Sequence, residues 1–563
     1  MRIYWRLSGL NKNRDFVKHH LKNARIPQAI KNSVYKKYYN STSSRTDIHS
    51  KINKAIELSE PLLQACYMPT TREELLDIYS KRQSKEIEQR SEWGDTGCAA
   101  VVNYLKLKGL KDIFPMRAAE NEAILNDGFI YTDGPTVKRL VSDRWLLRQM
   151  RKKSFREVEQ IALNYGLVSG HGQRYISNAV LNAVETRKQK NNELLKAITA
   201  INEEGQEYTL AELSELSVSN PAVRNTELMV RMRGNDEYAI KNNHPADMWT
   251  LTAPSKYHPS SSKWSGVSPR ETQKYLSNVW AKFRASAKRA GFNIYGFRVA
   301  EPHKDACPHW HILIFFENEQ AREFCREKMN DYALAEDGTE AGAENHRFDV
   351  EAIDRARGSA VGYIAKYITK NIDGANINDI DGRDPLHAAK RVNAWASVWG
   401  IRQFQAFGNP SVTTWRELRR LEGEESGALE KCREAADSGD WCAYFEAQGG
   451  HTVLYKDQPV KPAYWHKLDS RIEDVKNNEY GEPVAACVFG LVCEGVYTLT
   501  RFHSWTITDQ PEKLRGDDVV TPWTCVNNCT EQKYNEHEKK AFTGEINDSQ
   551  TGNSTNFDKG GGR

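Results

Sequence analysis

The chain has 563 residues, enough for two to four domains, with 79 Lys and Arg against 75 Asp and Glu, a net charge of +4 and a mean hydropathy of −0.70. That balance permits nucleic-acid binding without demanding it, and no run of about 18 apolar residues is present to cross a membrane. The start is charged from Arg2 and Arg6 onward, with no apolar stretch of a signal peptide, and ten scattered cysteines without a C-x-x-C pair suit reduced thiols in a cytoplasm.

Residues 1–45 interleave basic and aromatic side chains (Lys12, Arg14, Lys18, Lys22, Arg25, then Tyr35-Lys-Lys-Tyr-Tyr39) and end in a Ser/Thr-rich linker. Such interleaving suits phosphate contacts and base stacking, or else a solvated basic arm. Residues 46–224 read as mainly helical, with helices expected over 73–92, 136–162 and 173–201. The second carries Arg144, Arg148, Arg151, Lys152 and Lys153 along or near one side, which suits a DNA-binding module or a solvated face. Residues 225–420 read as an α+β domain with strands over 248–253, 294–300, 309–316 and 401–407 and a helix over 271–291. A helical pair and a β-rich region fill 421–528, and 529–563 is polar enough to be disordered.

The run from Glu301 to Phe316 organises the whole. From Trp310 to Phe316 it is apolar apart from His311, the pattern of a central strand buried on both faces. Strand side chains alternate, so His309 and His311 share a face and Trp310 takes the other. Two imidazoles about 7 Å apart along a strand can hold one divalent ion. Two packed strand histidines would be the plainer reading. Glu301 nearby offers a hard carboxylate that suits Mg²⁺ or Mn²⁺, with His303 as the alternative third ligand. Upstream, Thr250 and Thr252 share a face of their strand and should shape the floor of the sheet.

Downstream, Ser359 to Asn371 contains no Pro and follows Gly358, which predicts a helix. On a helical wheel Val361, Ile364, Ala365 and Ile368 make an apolar stripe. Tyr363, Lys366, Tyr367 and Lys370 fall at i, i+3, i+4 and i+7 on the opposite side. Phenols are candidate nucleophiles, and lysines bind phosphates.

Taken together, Trp249-Thr-Leu-Thr252, His309-Trp-His311 and Tyr363-x-x-x-Tyr367 resemble, in order, the motifs of the two-tyrosine HUH endonucleases. The nearest resemblance is to the replication gene A proteins of tailed phages and prophages, and it covers residues 249–371. It implies a central antiparallel sheet carrying the histidine strand, with the tyrosine helix beside it. It implies a metal-dependent endonuclease that starts rolling-circle replication in the bacterial cytoplasm. That enzyme cuts single-stranded origin DNA, keeps the 5′-phosphate on a tyrosine, and leaves a 3′-hydroxyl for the host helicase and polymerase. Two other readings stand beside it. One is a relaxase- or transposase-type nickase, although no G-x-x-x-x-G-K-[ST] helicase motif occurs. The other is a non-enzymatic DNA-binding protein with a structural ion.

Overall fold

The computed structural model describes residues 17–18, 21–22, 26–39, 43, 45–63, 69–91, 134–365, 385–422, 425, 427–466, 468–469 and 474–508. The disorder expected over 529–563 therefore lies outside the described residues. The fold is α+β, with a helical N-terminal region and a strand-rich C-terminal one, as the sequence suggests.

Helices Gln28–Tyr39, Arg45–Leu63 and Glu73–Ser91 come first. The single helix expected over 136–162 is two, Gly134–Val141 and Asp143–Asn164. The break falls at Ser142, which is extended; its hydroxyl accepts from the Trp145 N–H and caps the second helix. The helix expected over 173–201 runs only from Asn178 to Ala197. After it, Ile198 turns extended and the chain forms β1 (Thr199–Asn202). This strand pairs antiparallel with β2 (Glu207–Thr209) and, from far along the chain, with Trp505–Thr508.

The main sheet has five strands, β3 (Ala246–Leu251), β4 (Ile294–Pro302), β5 (Pro308–Phe316), β6 (Phe348–Ala352) and β7 (Phe404–Phe407). Their order is β6-β3-β5-β4-β7, every neighbouring pair is antiparallel, and β5 is central. One face carries Trp310, Ile312, Ile314 and Phe316 of β5. It packs under helices Pro269–Arg289 and Glu319–Leu334 through Leu276, Phe283, Cys325 and Met329. The other face carries His309, His311, Leu313 and Phe315. Its apolar part packs against Leu228, Met232 and Tyr238 of helix Pro221–Lys241, against Phe445, and against Ala360, Val361 and Ile364. Burial on both faces is why β5 needs an unbroken apolar run, each large side chain there contributing about 1.5–3 kcal/mol.

Beyond the sheet, Gly427–Asp437 and Trp441–Ala447 form the expected helical pair. Val460–Trp465, Cys487–Cys493 and Val496–Leu499 form a separate three-stranded antiparallel sheet.

Candidate active site

The turn joining β4 to β5 is locked from several sides. The His303 N–H donates to the Cys307 carbonyl (2.7 Å) and the Ala306 N–H to that of His303 (2.8 Å). Ala306 takes a left-handed φ of 72° to allow this. Asp305 is buried; one oxygen accepts from the Cys307 N–H (3.1 Å), the other from the Ser260 hydroxyl (2.6 Å) and lies 3.4 Å from His258 Nδ1. Burial alone would raise the Asp305 carboxyl, but hydrogen bonds from His258, Ser260 and Cys307 hold it well below the usual carboxylate range. The Trp395 indole donates to the Ala306 carbonyl (3.0 Å), and the Tyr175 N–H donates to that of Lys304 (3.3 Å).

This turn fixes the register in which Glu301 stands directly opposite His309; on the other side of β5, Thr250 of β3 stands opposite His311. Among the described residues, Glu301, His309 and His311 are brought together, with one ligand atom of each within 4.8 Å of the others. His311 Nε2 lies 3.0 Å from His309 Nε2 and 3.8 Å from Glu301 Oε2. An ion held at about 2.0–2.2 Å by three such atoms keeps them about 3–4 Å apart, so the donor set fits a divalent ion. Glu301 is 1% exposed and His311 6% exposed, while His309 is half-buried and forms the open side. His303 is not in the trio; its ring stacks on that of His309 (centroids 4.0 Å apart, 30°) and lies 5.0 Å from the His258 ring. Thr250 Oγ1 is 3.2 Å from His311 Nδ1, which turns Nε2 of that ring toward Glu301 and His309. Cys307 is no rival ligand: burial, with Asp305 adding to it, pushes its thiol well above the ordinary value.

Behind the histidines, the Trp310 indole donates to Gln273 Oε1 (2.9 Å), and the Arg298 guanidinium lies 3.7 Å from its ring centroid. This desolvated cation–π contact contributes about 2 kcal/mol and fixes the strand between its two layers.

The second arm begins at residues 360–365, which are helical. Asp236 holds their start, accepting from the Ala360 N–H (2.9 Å) and pairing with Arg355. Ala360, Val361 and Ile364 are buried in the cluster that contains Val299 and Leu313. Val299 stands opposite His311, so this helical turn covers the sheet face that carries the histidines. Tyr363 is half-buried and rests against the same cluster, closer to the core than the helical wheel suggests. Lys366, Tyr367 and Lys370 lie outside the described residues.

Comparison with known proteins matches residues 131–375, a range holding both arms, to the bacteriophage replication gene A protein (GPA) family. Over these residues the chain resembles the replication gene A proteins. The chain is 41% identical over 438 residues to the replication protein of Haemophilus phage HP1, covering 72% of this chain and 55% of that one. It is 37% identical to the replication gene A protein of Escherichia phage 186, covering 70% of this chain and 60% of the relative. It is 32% identical to a probable replication endonuclease from a prophage-like region of Salmonella paratyphi A, covering 70% of this chain and 52% of the relative. The chain thus matches a little over half the length of these relatives. No solved structure matches it.

Within residues 131–375, the structure adds residues that the motifs alone do not assign. Thr250 orients a ring rather than only flooring the sheet, a role legible in the alternation of Thr250 and Thr252 once the register is known. Asp236 holds the tyrosine helix from 124 residues away, and Asp305 with His258 and Ser260 holds the hairpin. No local spacing marks either. Among the described residues, no helix is long and apolar enough to cross a membrane.

Proposed function

We propose that this chain starts DNA replication by cutting one strand at an origin through a tyrosine, with Tyr363 and Tyr367 as nucleophiles. The observation that carries this is the Glu301, His309 and His311 trio on the sheet face covered by the helical turn bearing Tyr363. The phenol oxygen attacks the phosphorus and gives up its proton. The bond from phosphorus to the 3′-oxygen breaks, and that oxygen leaves as a 3′-hydroxyl. The strand stays on the enzyme as a 5′-phosphotyrosine, so the energy of the phosphodiester is kept for rejoining.

Glu301, His309 and His311 would hold a divalent ion, Mg²⁺ or Mn²⁺. When bound, that ion supplies positive charge to a non-bridging phosphate oxygen. Thr250 and the stacked His303 ring keep the two imidazoles in place. Lys366 and Lys370 bind phosphates, and the substrate is single-stranded or extruded origin DNA. The free 3′-hydroxyl then primes the host polymerase while the host helicase separates the strands, in the bacterial cytoplasm.

The test is incubation with single-stranded origin DNA and Mn²⁺, followed by a denaturing gel. Wild type should give a protein–DNA adduct, Tyr363→Phe and Tyr367→Phe each a residual one, and the double variant none. An adduct in the double variant would overturn the assignment.

A further inference from the structure

We propose a second DNA-backbone site, formed by Arg148, Lys152, Arg156 and Arg270 on the layer behind the histidine strand. Arg148, Lys152 and Arg156 follow one another every four residues along helix Asp143–Asn164, about 6 Å apart in rise, so they share one face. Arg270 joins them from the first turn of helix Pro269–Arg289. The helix Asp143–Asn164 meets the segment leading into helix Pro269–Arg289 where the Gln160 amide donates to the Gly266 carbonyl (2.9 Å), and Lys152 feels the charge of the other three. Burial, then Arg156, Arg148 and Arg270, lowers the Lys152 ammonium, and burial, then Arg270, lowers the Arg156 guanidinium to about 10. Among the described residues, none of the four makes an ion pair with a carboxylate. Their hydrogen bonds go to neutral groups, from Arg148 to the Tyr480 hydroxyl (3.4 Å) and from Arg156 to the Val398 carbonyl (2.7 Å). The adjacent Glu271 is engaged in capping its own helix through Ser268.

The contrast within the same helix is what singles this cluster out. Arg151 is paired with Glu73 (2.7 Å) and Lys153 with Glu157 (2.8 Å), so they are not spare charges. An ordinary solvated face mixes signs. Here four cations converge from two helices and repel one another, a cost that a polyanion would offset. Gln273, one turn past Arg270, accepts from the indole of Trp310, the residue between His309 and His311 in sequence, so the same helix links the cluster to the histidine strand. A DNA chain bound here would be anchored while its scissile stretch crosses the other face. This deepens the DNA reading above and depends on it only for the identity of the polyanion.

The test measures binding of the full chain to a labelled single-stranded oligonucleotide and to a duplex of the same sequence, in chelator, across a salt series. Because no cutting is needed, the result stands apart from the fate of the tyrosine mechanism. The triple variant Arg148→Gln, Lys152→Gln, Arg270→Gln should flatten the dependence of log Kd on log salt by about 2–3, at about 0.7–0.9 for each phosphate no longer neutralised. Its apparent Tm should not fall, because like-charge repulsion is relieved. Should the triple variant fold poorly, Lys152→Gln with Arg270→Gln, both exposed, should flatten the slope by about 1.4–1.8. Lys153→Gln should leave the slope unchanged. Wild-type slopes on both DNAs in the variants, or an equal flattening with Lys153→Gln, would overturn the proposal.

Discussion

Replacing Thr250 with Val tests the geometry of the histidine centre without touching a ligand. Val keeps the branched shape and the strand preference of Thr, so β3 and its pairing with β5 should be undisturbed. The change removes the oxygen 3.2 Å from His311 Nδ1. A hydrogen bond of this kind contributes about 0.5–1.5 kcal/mol net. Removing the partner that orients a ligating His typically lowers metal affinity about 10–100-fold. The low end is expected here, because His311 is 6% exposed and its ring also meets His309 edge-on at 4.7 Å, which limits how far it can turn. The expected change is therefore about 10-fold, or about 1.4 kcal/mol. Calorimetric titration with Mn²⁺ in the absence of DNA reads this directly. Thr250→Ser should restore most of the affinity, since it returns the hydroxyl. An unchanged Mn²⁺ affinity in the Val variant, or no rescue by Ser, would refute the orienting role.

Three further outcomes follow from the same geometry. Glu301→Ala should raise the Mn²⁺ midpoint of adduct formation well above that of Lys304→Ala, because only a carboxylate can ligate; equal midpoints would point to His303 instead. Asp236→Ala removes the acceptor at the start of the tyrosine helix, costing about 1–2 kcal/mol locally. It should slow adduct formation while leaving Mn²⁺ affinity as in wild type, and a parallel fall in both would show a general defect. Burial pushes the Glu159 carboxyl up to about 7, against hydrogen bonds from Ser177 and the charge of Arg391. A raised carboxyl costs stability as pH climbs from its unfolded value through 7, so Glu159→Gln should match wild type near pH 4.5 and exceed it by up to ~3 kcal/mol near pH 8. Parallel pH profiles of apparent Tm would contradict this.

The central sheet is legible in the sequence because its signals are local. The apolar run of β5 and the spacing of His309 and His311 depend only on strand periodicity. Helix Pro269–Arg289 lies two residues ahead of the expected 271–291, its start set by a capping box of Ser268 and Glu271. The break at Ser142 escapes such reading because the flanking residues keep a helical pattern and only the cap interrupts it. The basic helix is legible only in outline, for a different reason. Composition shows five cations along or near one side, but not that Arg151 meets Glu73 and Lys153 meets Glu157. The strand Thr199–Asn202 is hard to see because it is only four residues long, its local partner Glu207–Thr209 only three, and its other partner, Trp505–Thr508, lies about 300 residues later.

The centre depends above all on one register. Glu301 faces His309 only because Pro302 pairs with Pro308 at the mouth of the turn. A slip of one residue in β5 would send His309 and His311 to the layer of Trp310 and bring Trp310 to Glu301. The turn itself is short and contains no glycine, so Ala306 must hold a left-handed backbone that most residues avoid. That cost is offset by contacts outside the hairpin: Asp305 with Ser260 and His258, Trp395 with Ala306, and Tyr175 with Lys304. These partners come from the loop after β3, from helix Pro385–Trp399 and from the segment before helix Asn178–Ala197. The helical region ahead of the sheet is therefore part of what aligns Glu301, His309 and His311, which is why residues well outside the histidine and tyrosine motifs should control the affinity of this candidate centre for a divalent ion.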